Sequence, residues 1–262
     1  MTFLSGRRLV DLSLPITNFS MEPADFVAEI RHQSARDTAR QLAKLFGLNV
    51  SDIPTGEVVT EEFVSLAVHS GTHVDAPAHY GPTASGAPGR EIEHVPLEWC
   101  CGDGVVVDLT SKAATEPISD SDLERELGRI GHELSPGEIV LLHTGWDKRF
   151  TDANFASEHP GPDRSACEYL LDHGVRMIGI DANSLDLPTV VGVEGLREGD
   201  PSRFLPCHYL GREREYLQIE KLANLEQLPP AGFVVFAFPV LIEGCGASWT
   251  RAVALVDESV SG

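Results

Sequence analysis

The stretch His69-Ser70-Gly71-Thr72-His73-Val74-Asp75-Ala76-Pro77-Ala78-His79 places three imidazoles and a carboxylate within eleven positions. Gly71 and Pro77 argue against a helix here, and small residues between the ligand-type side chains let the backbone turn tightly. The apolar run Val64–Val68 just before it predicts a strand running into His69, with the histidines on a strand end and a tight turn. Two imidazoles and a carboxylate, His69, His73 and Asp75, suit a divalent Zn, Mn or Fe ion. Three side-chain ligands also leave positions open for water and substrate, as catalysis requires. His79 is within reach of the same pocket, as a further ligand or as a general base.

Outward from this segment, short β-branched runs recur at Leu9–Leu12, Val105–Leu109, Ile139–Leu142, Val175–Ile180, Phe233–Phe238 and Ala252–Val256, each of strand length. Helical patterns lie between them. One covers Asp25–Phe46 and stops at Gly47; another starts at the Ser119-x-x-Asp122 cap signal and runs to Leu127; a third covers Pro162–Asp172. Residues 81–92 and 190–203 read as loops that rim a pocket. This mixture predicts one α/β domain over residues 1–262, with a helical insertion near 24–47.

The composition narrows the function. Forty acidic against 20 basic residues give a formal charge of −20, which disfavours nucleic acid and anionic membranes as partners. No run approaches a membrane span, and the N-terminal MTFLSGRRLV does not read as a secretory leader. Five cysteines without a framework spacing, at 100, 101, 167, 207 and 245, suit a reducing, cytoplasmic setting. Neither Ser70 nor Ser248 sits in a G-x-S-x-G elbow, and there is no nucleotide-binding glycine motif. In Cys207-His208, neighbours on a strand point to opposite faces, so a Cys–His nucleophile pair is not expected.

The eleven residues resemble the HxGTHxDxPxH signature of the cyclase family of metal-dependent hydrolases, which includes bacterial kynurenine formamidases, isatin hydrolases and polyketide-pathway cyclases. Asp11-Leu12-Ser13, Thr144-Gly145-Trp146, Gly179-Ile180-Asp181 with Asp186, Glu243-Gly244 and Arg251-Ala252-Val253 resemble further stretches of that family. The resemblance implies a β-rich swivelling β/β/α domain and a homodimer or homotetramer. It implies metal ligands His69, His73 and Asp75, joined by His208 and Glu220, which stand twelve residues apart. It implies His79 as the catalytic residue and Zn or Mn as the ion.

The expected reaction is opening of an amide, lactam or lactone in a small aromatic carbonyl substrate. Two alternatives stand beside it: an aromatic polyketide cyclase using the same site, and a protein that binds metal or ligand without catalysis. Cys245, Trp249 and His143 depart from the family pattern and weaken N-formylkynurenine as substrate, while Val95–Cys100 is closer to the polyketide branch. The loops and aromatic side chains are expected to supply an apolar enclosure.

Overall fold

The computed structural model of this chain describes residues 4–17 and 27–258. Thirteen strands and five helices follow one another as β1 Arg7–Asp11, β2 Glu29–Gln33, α1 Ala35–Phe46, β3 Glu61–Ser65, β4 His73–Asp75, β5 Cys101–Asp108, β6 Pro117–Ile118, α2 Asp120–Ile130, β7 Ile139–His143, β8 Gly161–Pro162, α3 Arg164–Asp172, β9 Met177–Ile180, α4 Thr189–Glu198, α5 Pro206–Gly211, β10 Leu217–Glu220, β11 Ala231–Phe236, β12 Ala247–Trp249 and β13 Val253–Asp257. Nine of the strands build one mixed sheet in the order β1-β13-β11-β5-β7-β9-β10-β4-β12. Its centre, β5-β7-β9-β10, is parallel. The flanking pairs are antiparallel.

Period-two alternation in the central strands explains why both faces are covered. Val105, Val107, Val140, Leu142, Ile178 and Ile180 pack with Leu123, Leu127, Leu170 and Leu210 of the helices. Val106, Ile139, Leu141 and Met177 face the other way, into a core shared with Val10, Val74, Ile219, Val235 and Ala254 from the outer strands. The sheet curls to make that second core. Leu12, just past β1, donates to the Ala252 carbonyl and accepts from the Ala223 amide, while Ser13 bridges Leu222 just past β10. Leu141 is fully buried there, so Leu141→Ala should cost about 2–5 kcal/mol of stability. The architecture is the β-rich α/β class that the sequence implies.

The cap signal at Ser119 holds: its hydroxyl accepts from the Asp122 amide, Asp122 accepts from the Ser119 amide, and α2 ends at left-handed Gly131. Three other expectations change. Within Asp25–Phe46, residues 25 and 26 lie outside the described set, and residues 29–33 form a strand paired with β3. Ser34 then caps α1 by accepting from the Asp37 amide, so the helix starts only at Ala35. Residues 190–203 are largely helical rather than a loop. Their valines and glycines suggested irregular structure, but Gly192 is needed because a Cβ there would lie 3.0 Å from the Arg203 carbonyl oxygen. Finally, Cys207 and His208 sit on α5, not on a strand.

Candidate metal centre

The predicted strand over Val64–Val68 is displaced: β3 ends at Ser65 and pairs only with β2. The chain then closes a turn, Ser70 N–H to Ala67 carbonyl at 3.0 Å. Side chains hold this turn in place of a strand partner. Trp249 Nε1 donates to the Ala67 carbonyl at 2.9 Å and Lys221 Nζ to the His69 carbonyl at 2.7 Å. Gly71, at φ 62°, reverses the chain into β4.

Strand β4 lies between β10 and β12, with Asp75 opposite Gln218 and Ala247, and His73 opposite Glu220 and Trp249. Alternation therefore puts His73, Asp75 and Glu220 on one face, while Val74 points into the second core with Ile219. Pro77 opens a 3₁₀ turn, Pro77–Tyr80, that carries His79. Gly246 packs against it so closely that a Cβ would lie 2.9 Å from the His79 amide nitrogen. From the opposite side, α5 brings in His208.

All six residues singled out in the sequence converge. His69 Nδ1 lies 2.9 Å from Asp75 Oδ1. His73 Nε2 lies 3.3 Å from the same oxygen and 3.5 Å from Glu220 Oε2. The His79 ring centre is 4.1 Å from that of His69 and 5.2 Å from that of His208. Two triads have donor atoms within 4.8 Å of one another, His69-His73-Asp75 and Asp75-His79-His208, and they share Asp75.

The hydrogen bonding says what the cluster lacks. His73 Nδ1 is 2.9 Å from the Gly71 carbonyl, so that nitrogen carries the proton and Nε2 presents a lone pair. Among the described residues, neither this Nε2 nor either Asp75 oxygen has a hydrogen-bond partner, though all are buried. An acceptor-only cluster in a dry interior is unfavourable unless a cation sits among the acceptors. Glu220 keeps only part of its capacity for such an ion, since its Oε1 accepts from the Leu185 amide at 2.9 Å. His208 is oriented by Asp186, whose Oδ2 lies 2.5 Å from Nδ1 while Oδ1 accepts from the Cys207 amide at 2.7 Å. A carboxylate behind a histidine fixes its tautomer and leaves Nε2 for a ligand.

Charges follow this geometry. Burial opposes the imidazolium of His208, but Asp186 overrides it and lifts the pKa to about 9. Burial dominates at His79 and, despite the pull of Asp75, sets its pKa below the ordinary value. His79 is therefore the free base at neutral pH. Burial also opposes ionisation of Asp75, yet His73 and His79 hold its pKa well below the carboxylate range.

A cavity of about 290 Å³ opens on the cluster, lined by His69, His79, Asn183, Ser184, Thr189, Leu205, His208, Glu220 and Lys221. The aromatic enclosure expected from the loops is not what forms it. No Phe, Tyr or Trp appears among its described lining residues, and neither does residues 81–92. Asp186 was legible only as part of a motif, and Lys221, Asn183 and Ser184 carried no signal of their own. The Cys207 thiol lies 2.8 Å from Cys167 Sγ and burial pushes its pKa well up. It is thus an inert thiol packed under His208 rather than half of a nucleophile pair. The Thr144-Gly145-Trp146 and Asp181 motifs serve each other: Asp181 accepts from the Thr144 amide at 2.8 Å and the Gly145 amide at 2.7 Å.

The family model described as Putative cyclase matches residues 10–187. Isatin hydrolase of Roseibium aggregatum is 30% identical over 203 residues, 74% of this chain and 74% of its own. Isatin hydrolase A from Ralstonia solanacearum matches in structure with a TM-score of 0.74 at 25% identity, over 95% of this chain and 92% of that one. A structure described as a potential metal-dependent hydrolase with cyclase activity matches with a TM-score of 0.64 at 20% identity, over 95% and 98% of the two chains. At that identity the likeness is one of fold.

Proposed function

The chain belongs to the cyclase family, and from that premise we propose that it opens an amide, lactam or lactone of a small aromatic carbonyl compound. It is an enzyme of the metal-dependent hydrolase and cyclase kind. In this reading His69, His73 and Asp75, with His208 and Glu220, hold a divalent Zn or Mn ion, and His79 transfers the proton. One observation carries the proposal: the buried, unpartnered acceptors His73 Nε2 and Asp75 Oδ1 and Oδ2 face one another. The nitrogen and carboxylate donors fit a borderline or hard divalent ion. Bound there, such an ion polarises a carbonyl and acidifies water.

The chain's own residues do the rest. His79, held as the free base by burial, takes a proton from the attacking water and returns it to the leaving nitrogen or oxygen. Asp186 keeps His208 turned toward the cluster. Asp75 accepts only, so it cannot donate to a developing oxyanion. The Roseibium aggregatum relative is named for isatin, a lactam, which supports a lactam-type substrate here. The cavity, about 290 Å³, is at the lower end for small-molecule sites. That size favours a one- or two-ring substrate over the multi-ring substrate of a polyketide cyclase.

One observation favours a second role for His79. Its donor atom lies within 4.8 Å of those of Asp75 and His208, a set suited to a second ion bridged by Asp75. The test is turnover of a panel of aryl formamides, lactams, lactones and a linear polyketide mimic, after chelation and after return of Mn or Zn. Saturable hydrolysis of a lactam or formamide that vanishes on chelation and returns with the ion is expected. Inert amides and lactones beside a cyclised polyketide mimic would transfer the proposal to the cyclase reaction.

A further inference from the structure

We propose that Lys221 is a positioning residue that clips the His69 turn into the metal centre, an inference that rests on the metal reading above. Lys221 is almost wholly buried and adopts φ 58°, a left-handed conformation that residues with a Cβ avoid. Strain of this kind persists where the surrounding structure enforces it, often at a functional site.

The enforcing contacts are specific. The Lys221 amide donates to the Ala182 carbonyl at 2.9 Å, its carbonyl accepts from the Thr72 hydroxyl, and Nζ donates to the His69 carbonyl at 2.7 Å. Had β10 continued as a strand, residue 221 would share the face of Ile219 and drive an ammonium into the apolar core around Val74. The left-handed turn brings Lys221 to the wall of the cavity that Glu220 also lines.

His69 needs such a clip more than the other candidate ligands do. His73 and Asp75 are paired on both sides by β10 and β12. Glu220 is held by the Leu185 amide and His208 by Asp186. His69 stands in a turn, with its side chain 21% exposed. Fixing its carbonyl sets the plane of the peptide that follows it and so the aim of the imidazole. Charge alone would act the other way, because an ammonium beside a divalent ion opposes binding. The two explanations therefore differ in sign.

The test compares Zn and Mn affinity of the wild type, K221M and K221G by competition with a chromogenic chelator, with the visible absorption of the Co-loaded proteins as a second readout. K221M keeps the apolar stem and removes the donor. K221G accepts φ 58° without strain and also lacks the donor, so it serves even if K221M folds poorly. The clip predicts that both variants bind about 10–100-fold more weakly, with altered Co spectra, and that K221G melts no lower than K221M. Unchanged or tighter binding in K221M, or wild-type affinity in K221G, overturns the inference while leaving the metal reading intact. A wild-type protein that binds no divalent ion overturns both.

Discussion

Asp186→Asn isolates the carboxylate behind His208 with little change of shape. Asp186 Oδ1 accepts from the Cys207 amide at 2.7 Å, and Oδ2 accepts from the His208 amide at 3.2 Å and faces Nδ1 at 2.5 Å. Asparagine has one acceptor where aspartate has two. Whichever way its amide turns, an NH₂ group meets a backbone donor, a mismatch worth about 1–3 kcal/mol. If NH₂ faces Nδ1, His208 must carry its proton on Nε2 and cannot ligate. Metal affinity should fall about 10–100-fold.

The metal-free protein offers an independent reading of the same carboxylate. Asp186 helps lift the His208 pKa from the ordinary 6.5 to about 9, which corresponds to about 3 kcal/mol of preference for the imidazolium. A raised folded pKa stabilises fully below the unfolded value and is lost as pH rises through the folded one. Asp186→Asn should therefore destabilise the metal-free protein more near pH 6 than near about pH 10. Urea unfolding at those two pH values and chelator competition near neutrality measure both effects. Unchanged metal affinity together with a pH-independent loss of stability would refute the orienting role.

His79→Ala should retain bound metal yet lose about 10²–10⁴ in rate. Loss of an equivalent of metal from that variant would instead assign His79 as a ligand. His159 is fully buried, and burial pushes its pKa down to about 4. A depressed histidine stabilises above the ordinary 6.5 and that contribution is lost as pH falls toward 4, here up to about 3 kcal/mol. His159→Leu should flatten the fall in unfolding free energy over that window, and an acid limb as steep as the wild type's would count against it.

The cluster from His69 to His79 was legible because its residues are neighbours in sequence and their chemistry needs no tertiary context. The central strands were legible for a similar reason: Val105–Leu109 and Ile139–Leu142 are apolar runs whose period shows in the sequence itself. What could not be read depends on partners distant in the chain. Strand β10 contains Gln218 and Glu220 beside Leu217 and Ile219, and it is a strand because β9 and β4 pair with it. The strand expected to reach Val68 stops at Ser65 because the Ala67 and His69 carbonyls are taken by Trp249 and Lys221. Helix α4 hides behind glycines that exist to let Arg203 and Phe204 approach. His208 and Glu220 were reached through resemblance; only the fold shows Asp186 behind one and the Leu185 amide on the other.

The central claim is that a divalent ion sits among His69, His73 and Asp75. Elemental analysis of the purified wild type and His73→Ala, each reconstituted with Zn or Mn and freed of excess ion, tests it most directly. The account predicts at least one equivalent of divalent metal in the wild type and its loss in the variant, with the folded state retained by circular dichroism. A full equivalent in His73→Ala, or none in the reconstituted wild type, would contradict it.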